Sequence, residues 1–355
     1  MSYMLVINPG STSTKIAVYD NLKEILNQTI RHNSAEIEKF ETVNDQYEFR
    51  VNTIEAILES ENITIDKFDV IVGRGGLLKP VEGGAWIIND LMLADLKKAE
   101  RGEHASNLGA PIAQNIADKI GVKAYIVDPV VVDEFDEVAR ISGIPEIERT
   151  SIFHALNQKA TARGLAKKLG KKYKEINAIV AHMGGGVSVG AHYKGKVIDV
   201  TNGVYGEGSF SPERSGAVPD EQLVHMCFCG RYSEKEIIKK IHGKGGMVAY
   251  LGTADGKVIH DEAIHGNKKF QLIRAAMAYQ LAKDIGSMAT VLNGDVDGIV
   301  LTGGLAFDKD LMKMIIDRVK FIADIHMFPG ENEMEALRDG VLMALEGRMP
   351  IHVYK

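Results

Sequence analysis

Two stretches about 170 residues apart follow one plan, which restricts the chain to folds built from a duplicated unit. The first is LVINPGSTSTKIAVYDNLKEI, starting at Leu5; the second is IVAHMGGGVSVGAHYKGKVI, starting at Ile179. Each reads as an apolar strand, a polar or glycine-rich loop, a second strand, a short turn and a third strand. In the first copy the strands are expected at 3–7, 15–19 and 24–30, with Asn21 opening the turn. In the second they are expected at 178–181, 187–192 and 196–200, with Tyr193-Lys194-Gly195 as the turn. Identity between the copies is low, but the order of parts is the same.

Between and after these hairpins, strands and helices alternate. Residues 68–72, 123–127 and 298–301 read as strands. Helices are predicted over 45–60, 89–101, 107–120, 154–169, 270–292 and 334–346. In the longest, Leu281, Ile285, Met288 and Leu292 recur at i, i+4, i+7 and i+11 and make one apolar stripe that Asn293-Gly294 ends. Alternation of this kind predicts an α/β fold. The 355 residues suit two domains. No low-complexity linker separates them, so they are expected to pack around a cleft.

Composition removes several function classes. The net charge of −6 offers no footprint for nucleic acid or for an anionic membrane. Cys227 and Cys229, the two cysteines, cannot build a disulfide framework or a zinc site. The N-terminus lacks a basic signal-peptide region, and no run approaches the ~18 apolar residues of a membrane span. A cytoplasmic protein is the expectation. There is no GxxxxGK[ST], no GxGxxG and no GxSxG, and His260 and His265 are wrongly spaced for HExxH.

Four loops follow apolar strands: Asn8–Thr14, Gly73–Gly76, His182–Gly186 and Thr302–Leu305. Glycine lets backbone approach a ligand, and exposed amides can donate to phosphate oxygens. Alone, each is an ordinary turn. Two of them, however, hold equivalent places in the two copies.

The motifs NPGSTSTK, HASNLGAPIA, VDPVVVDEF, SIFHALNQKA, HMGGGVSVGAH, SPERSGAVPD, LTGGLA and GENEMEALRDG occur in order over nearly the whole chain. Together they resemble the acetate/butyrate kinase family, part of the superfamily of sugar kinases, heat-shock chaperone ATPases and actin. The resemblance implies two ribonuclease H-like domains of the actin-like ATPase fold with nucleotide in the interdomain cleft. It puts residues 1–150 plus 335–355 on the acyl-substrate side and 151–334 on the nucleotide side. It also implies reversible phosphoryl transfer from ATP to a carboxylate, giving an acyl phosphate and ADP, with magnesium, in a homodimer or larger assembly. A carboxylate is already a nucleophile, so such a site needs positioning and charge neutralisation more than a base.

By the same resemblance, Arg74 and Arg214 contact the carboxylate and the moving phosphoryl group, which suits the two parallel donors of a guanidinium. His154 is implied in transition-state stabilisation, His182 in phosphate contact, and His104 near the acyl group. Asn8, Asp128 and Glu333 match a magnesium site of hard oxygens, although Asp128 could be a helix cap and Glu333 a first-turn acid. Ser11, Ser13 and Lys15 form the first phosphate loop and Gly184, Gly185 and Gly186 the second. Gly303 and Gly304 are expected to approach the adenosine, with Asp255 nearby. Phe153 is a pocket wall or a core aromatic.

Two departures concern specificity. Acetate kinases resemble HLGNG where this chain has HMGGG, so an Asn side chain is lost at Gly185. They also resemble HRVVHGG where this chain has GRGGLLKP, and the second valine, which lines their acyl pocket, maps onto Gly76. The lost volume predicts room for a longer acyl tail, so butyrate and related short or branched acids are the expected substrates, with acetate or propionate as the alternative. A non-catalytic actin-like nucleotide-gated binding protein and a sugar kinase using Asp128 as base are the readings from other classes.

Overall fold

The computed structural model describes residues 2–355. The chain forms two compact units, Met1–Val132 with Asn332–Lys355, and Asp133–Glu331.

In the first unit, β1 (Tyr3–Pro9), β2 (Ser13–Asp20) and β3 (Lys23–Arg31) form an antiparallel meander. The unit continues with β4 (Val70–Gly73), β5 (Ala85–Ile87) and β6 (Lys123–Val127). β4 runs parallel to β1, β6 runs parallel to β4, and β5 is antiparallel to β6. The C-terminal strand Ile351–Val353 adds to β5, giving the order C-terminal strand–β5–β6–β4–β1–β2–β3. β1 is central and nearly all buried, so it reads as a continuous apolar run. β3 lies at the edge, and its residues are exposed or half-buried. Val51, Ile54 and Leu58 of the helix Tyr47–Ser60 and Ile112, Ala113 and Ile116 of the helix Gly109–Ile120 close the core over Leu5, Ile7, Ile16 and Val18. The helix Glu333–Leu345 covers the opposite side. Its Gly340 sits so close to Val127 that a Cβ there would overlap the valine side chain.

The second unit repeats the arrangement. β7 (Asn177–Met183), β8 (Val187–Tyr193) and β9 (Lys196–Val200) form the meander. β10 (Gly298–Gly303) runs parallel to β7 and β11 (Ile325–Pro329) parallel to β10. The order β11–β10–β7–β8–β9 matches β6–β4–β1–β2–β3 strand for strand and direction for direction. The long helix Lys268–Val291 buries Leu281, Ile285 and Met288 on one face. Ala162, Leu165 and Ala166 of the helix Ala155–Lys168 pack on the other, against Ala178, Val180 and Val300. Among the described residues, no helix is long and apolar enough to cross a membrane.

Residues 133–150 belong to this second unit, and buried charges tie them there. Lys159 Nζ donates to both carboxylate oxygens of Glu134, at 2.9 and 2.7 Å, with the two side chains 3% and 8% exposed. Glu134 also accepts from the Val197 amide at 2.7 Å. Arg149 pairs with Asp199 and Glu207, both at 3.0 Å.

Removing one partner of a buried pair strands the other charge, whereas replacing both does not. Lys159→Met is expected to destabilise the protein by about 3–5 kcal/mol in urea unfolding, and Lys159→Met with Glu134→Leu by clearly less. Equal losses in the single and double variants would show that the pairing itself does not govern the segment's attachment.

Candidate active site

In the first unit β1, β4 and β6 are parallel and end together. Ile7 pairs with Gly73, and Gly73 with Ile126. The next residues therefore emerge at the carboxyl edge of the sheet, where open α/β sheets bind ligands. Arg74 continues the ladder by donating its amide to Ile7 O at 2.9 Å. Its Nη1 donates to Glu333 Oε1 at 2.7 Å and to Asn8 Oδ1 at 3.2 Å. Asn8 Nδ2 donates to Glu333 Oε2 at 2.6 Å, which closes a triangle of one cation, one anion and one amide. Glu333 is the first residue of its helix, where the exposed amides favour a negative charge. Glycine makes the Arg74 position possible. A Cβ at Gly73 would overlap the Gly109 carbonyl, and one at Gly109 would overlap the Arg74 carbonyl. The start of the helix Gly109–Ile120 thus presses directly on the backbone that carries the guanidinium.

Asp128 follows β6 in the left-handed region (φ 38°) and is buried. Its Oδ1 accepts from Gly84 N at 2.8 Å, and its own amide donates to Gly84 O at 3.0 Å. The strained backbone is thereby held from both sides. His104 is exposed, and its Nδ1 accepts from the Ser106 amide at 3.1 Å.

Ser11 and Lys15 are exposed and Ser13 half-buried at the β1–β2 turn, which Gly10 N closes onto Ser13 O at 2.7 Å. Beneath the turn lies Arg50, fully buried. It donates to Ser13 O at 3.0 Å, Ser11 O at 3.2 Å, Thr14 Oγ1 at 2.9 Å and Gln46 Oε1 at 2.8 Å. None of these acceptors is a carboxylate, and burial pulls the guanidinium pKa down to about 10. Sequence reasoning missed Arg50. Its only trace was an arginine at a position spaced like Val51, Ile54 and Leu58 on the buried side of its helix.

In the second unit, β7, β10 and β11 also end together, with Thr302 pairing with both His182 and Phe328. His182 is buried, and its ring stacks on His154 with centroids 3.8 Å apart and planes 12° apart. His182 Nδ1 lies 2.9 Å from Asn157 Oδ1, and its Nε2 lies 3.6 Å from Glu331 Oε1. Gly184 N donates to Gly186 O at 2.9 Å, making the tight turn after β7. A Cβ at Gly186 would overlap the Arg214 guanidinium, which donates to Gly203 O. Ser211 Oγ donates to Gly185 O at 2.6 Å and accepts from Arg214 N at 3.1 Å, so one hydroxyl joins the two loops. Arg214 Nη1 and the His154 ring both lie in van der Waals reach of a Cβ built at Gly203. The structure therefore gathers His154, His182, Arg214, Gly185 and Gly186 in one place. Burial lowers the Arg214 pKa, with Glu213 opposing.

The nucleotide-side residues divide. Gly303 (φ 90°) packs where a Cβ would overlap Met183 O, and it exchanges two backbone hydrogen bonds with Gly330. Gly304 faces open space. Asp255 caps the helix Gly256–Ile264 through the amides of Lys257 (2.8 Å) and Val258 (3.2 Å), and Gly256 lies beside Leu305.

One acyl-pocket expectation changes. A Cβ at Gly76 would stand 2.6 Å from Asn107 Cα and 2.5 Å from its Oδ1, so the missing side chain leaves no room for an acyl tail. The glycine instead lets Asn107 close in and accept from Leu77 N at 2.8 Å. Phe153 is 3% exposed and lies among the buried hydrophobic residues.

Comparison with known proteins fits these arrangements. Residues 147–340 match the model of the Acetokinase family. Butyrate kinase 2 of Clostridium acetobutylicum is 55% identical over 352 residues, covering 99% of both chains. Butyrate kinase 1 of the same organism is 54% identical over 355 residues, covering all of both. The acetate kinase of Porphyromonas gingivalis superimposes with a TM-score of 0.80 at 19% identity, over 97% of this chain and 100% of that one, which shows that the two share a fold. With a family model spanning more than half its length and relatives above half identity end to end, this chain belongs to the acetokinase family.

Proposed function

We propose that the protein transfers the γ-phosphoryl group of ATP to the carboxylate of a short-chain fatty acid, butyrate by preference, to give an acyl phosphate and ADP. The full-length identity to two butyrate kinases carries this reading. The side chains support it. Arg74 is held among oxygen partners by Asn8 and Glu333, at the edge where a carboxylate would dock. Arg214 is half-buried against Gly186, where partial desolvation strengthens the action of its charge on a transferring phosphoryl. Arg50 adds positive charge under the Ser11–Thr14 turn without cancelling it on a carboxylate. No residue has to act as a base, because the acceptor arrives as an anion.

Magnesium fits the donors in the first unit. Asn8 Oδ1 and the carboxylates of Asp128 and Glu333 are hard oxygens, which magnesium takes together with several waters. Bound there, it would screen the phosphate charge. The butyrate preference rests on the relatives, since Gly76 opens no volume. In this reading the enzyme works in the cytoplasm, as a homodimer or larger assembly.

Acyl phosphate, trapped as hydroxamate across two- to five-carbon acids, is expected to be greatest with butyrate. Arg74→Ala and Arg214→Ala should each lower kcat by about a hundredfold or more. ATP binding with no acyl phosphate from any acid would sink the proposal in favour of a nucleotide-gated binding protein. Gly186→Ala, which replaces no charged residue, should fall nearly as far as Arg214→Ala, because its methyl occupies the guanidinium's place. Near-normal turnover in Gly186→Ala would show that Arg214 acts from elsewhere.

A further inference from the structure

Behind His154 runs a file of buried polar side chains that the proposed reaction does not use. Ser188, Gln158 and His192 are each fully buried. Ser188 Oγ lies 2.8 Å from His154 Nδ1. Gln158 Nε2 lies 2.9 Å from Ser188 Oγ and 3.0 Å from the Ser188 carbonyl. Gln158 Oε1 lies 3.0 Å from His192 Nε2, and His192 Nδ1 lies 2.7 Å from Tyr173 Oη.

The direction of every hydrogen in this file can be deduced. The Ser188 carbonyl can only accept, so the Gln158 amide must present its nitrogen there and its oxygen to His192. His192 therefore donates from Nε2. Burial, with Lys159 and Arg163 nearby, keeps its ring neutral, so Nδ1 accepts from the Tyr173 hydroxyl. At the other end, the polar atoms around Ser188 Oγ are Gln158 Nε2, the His154 amide at 3.4 Å and His154 Nδ1. The first two can only donate. The serine hydrogen has one acceptor to go to, His154 Nδ1.

We infer that Ser188 and Gln158 are positioning residues that hold His154 as a neutral imidazole with its proton on Nε2, so that it meets the moving phosphoryl group as a hydrogen-bond donor. The inference that this tautomer matters to catalysis rests on the reaction proposed above. The tautomer itself does not. The stacked ring of His182 is set the other way. Asn157 Nδ2 faces the Glu331 carbonyl at 2.9 Å, so its Oδ1 faces His182 Nδ1, which must carry a hydrogen. Two rings in contact thus differ at Nδ1, the difference set in each case by a buried amide. Aligned hydrogen bonds polarise one another, so the file from Tyr173 to His154 also strengthens the last donor in the row.

Histidine ring 15N correlation spectra of the whole protein test this, with the His154 signals identified by their loss in His154→Gln. Wild type should show His154 protonated at Nε2 and bare at Nδ1. Protonation at Nδ1 overturns the inference with no variant needed. In Ser188→Ala the His154 signals should move towards a mixture of tautomers, and kcat for acyl phosphate should fall roughly tenfold to a hundredfold with little change in KM. Gln158→Met should do the same. Unchanged kcat in both variants, while His154→Gln is impaired, would end the positioning role but leave the proposed reaction intact. A wild type that makes no acyl phosphate would end the reaction but leave the tautomer standing or falling on its spectrum.

Discussion

The ion pair between Arg74 and Glu333 serves two ends. The first unit is assembled from two pieces of chain, and Glu333 is the second residue of the returning piece. Its carboxylate is received at once by Arg74 and Asn8, which stand on the carboxyl ends of two neighbouring strands. The contact that stitches the returning helix to the sheet is therefore also the contact that fixes the charge at the candidate site. The rest follows from it. Gly340 allows the helix to lie on Val127, and the helix Gly109–Ile120 holds the Arg74 backbone from the side. A change that loosens the helix would move the guanidinium as well, so fold and site cannot be tuned separately here.

Charge is handled locally, as the overall balance requires. A protein of net charge −6 repels an anionic ligand at long range. Two buried or half-buried cations have fields that no bonded carboxylate cancels. Arg50 is bonded to carbonyls, a hydroxyl and an amide, and Arg214 has a carbonyl partner at Gly203. Both are pulled below the ordinary guanidinium range by burial, which is the energetic cost of keeping a cation out of water. An incoming phosphate would relieve that cost. Arg149, by contrast, sits between Asp199 and Glu207 and is pushed up, as expected for a structural cation with two anionic partners.

Much of this was legible in the sequence, and the reasons for the exceptions are physical. The two meanders and the parallel strands β4, β6 and β10 were readable because buried strands are apolar and their turns carry Asn or Gly, whereas the parallel strand β11, mostly half-buried, was missed. The strands Ala85–Ile87 and Ile351–Val353 were not, since three residues hold no periodicity. The helices Asp220–Phe228, Glu234–Ile241 and Gly256–Ile264 were also missed, lying in a stretch with few buried apolar positions, and so was Lys309–Val319, although it buries Leu311, Met312, Ile315 and Val319. At the site, strand-end residues such as Asn8, Arg74 and His182 could be picked out by position alone. Gly76 misled because a missing side chain was read as empty space, when the neighbouring chain had moved in. Asn157 and Gln158 lie three and four residues after His154, on its own helical face. That spacing was the available signal for the amides that set the two histidines, in a helix otherwise rich in alanine and lysine.

The duplication explains why the two halves look so different at matching places. Ile7 pairs with Gly73 as Ala181 pairs with Leu301, so Asn8 corresponds to His182 and Arg74 to Thr302. In the first unit these positions, with Glu333, hold a cation, a carboxylate and an amide. In the second they hold an imidazole and a hydroxyl, tied together by Asn157, which accepts from Thr302 Oγ1 at 3.2 Å. One copy has a guanidinium and a carboxylate at its strand ends, and the other an imidazole and a hydroxyl held by one buried amide. The same strand order can supply both because the ladder sets only where a side chain leaves the sheet, while the residue type and its buried partners set what it does there.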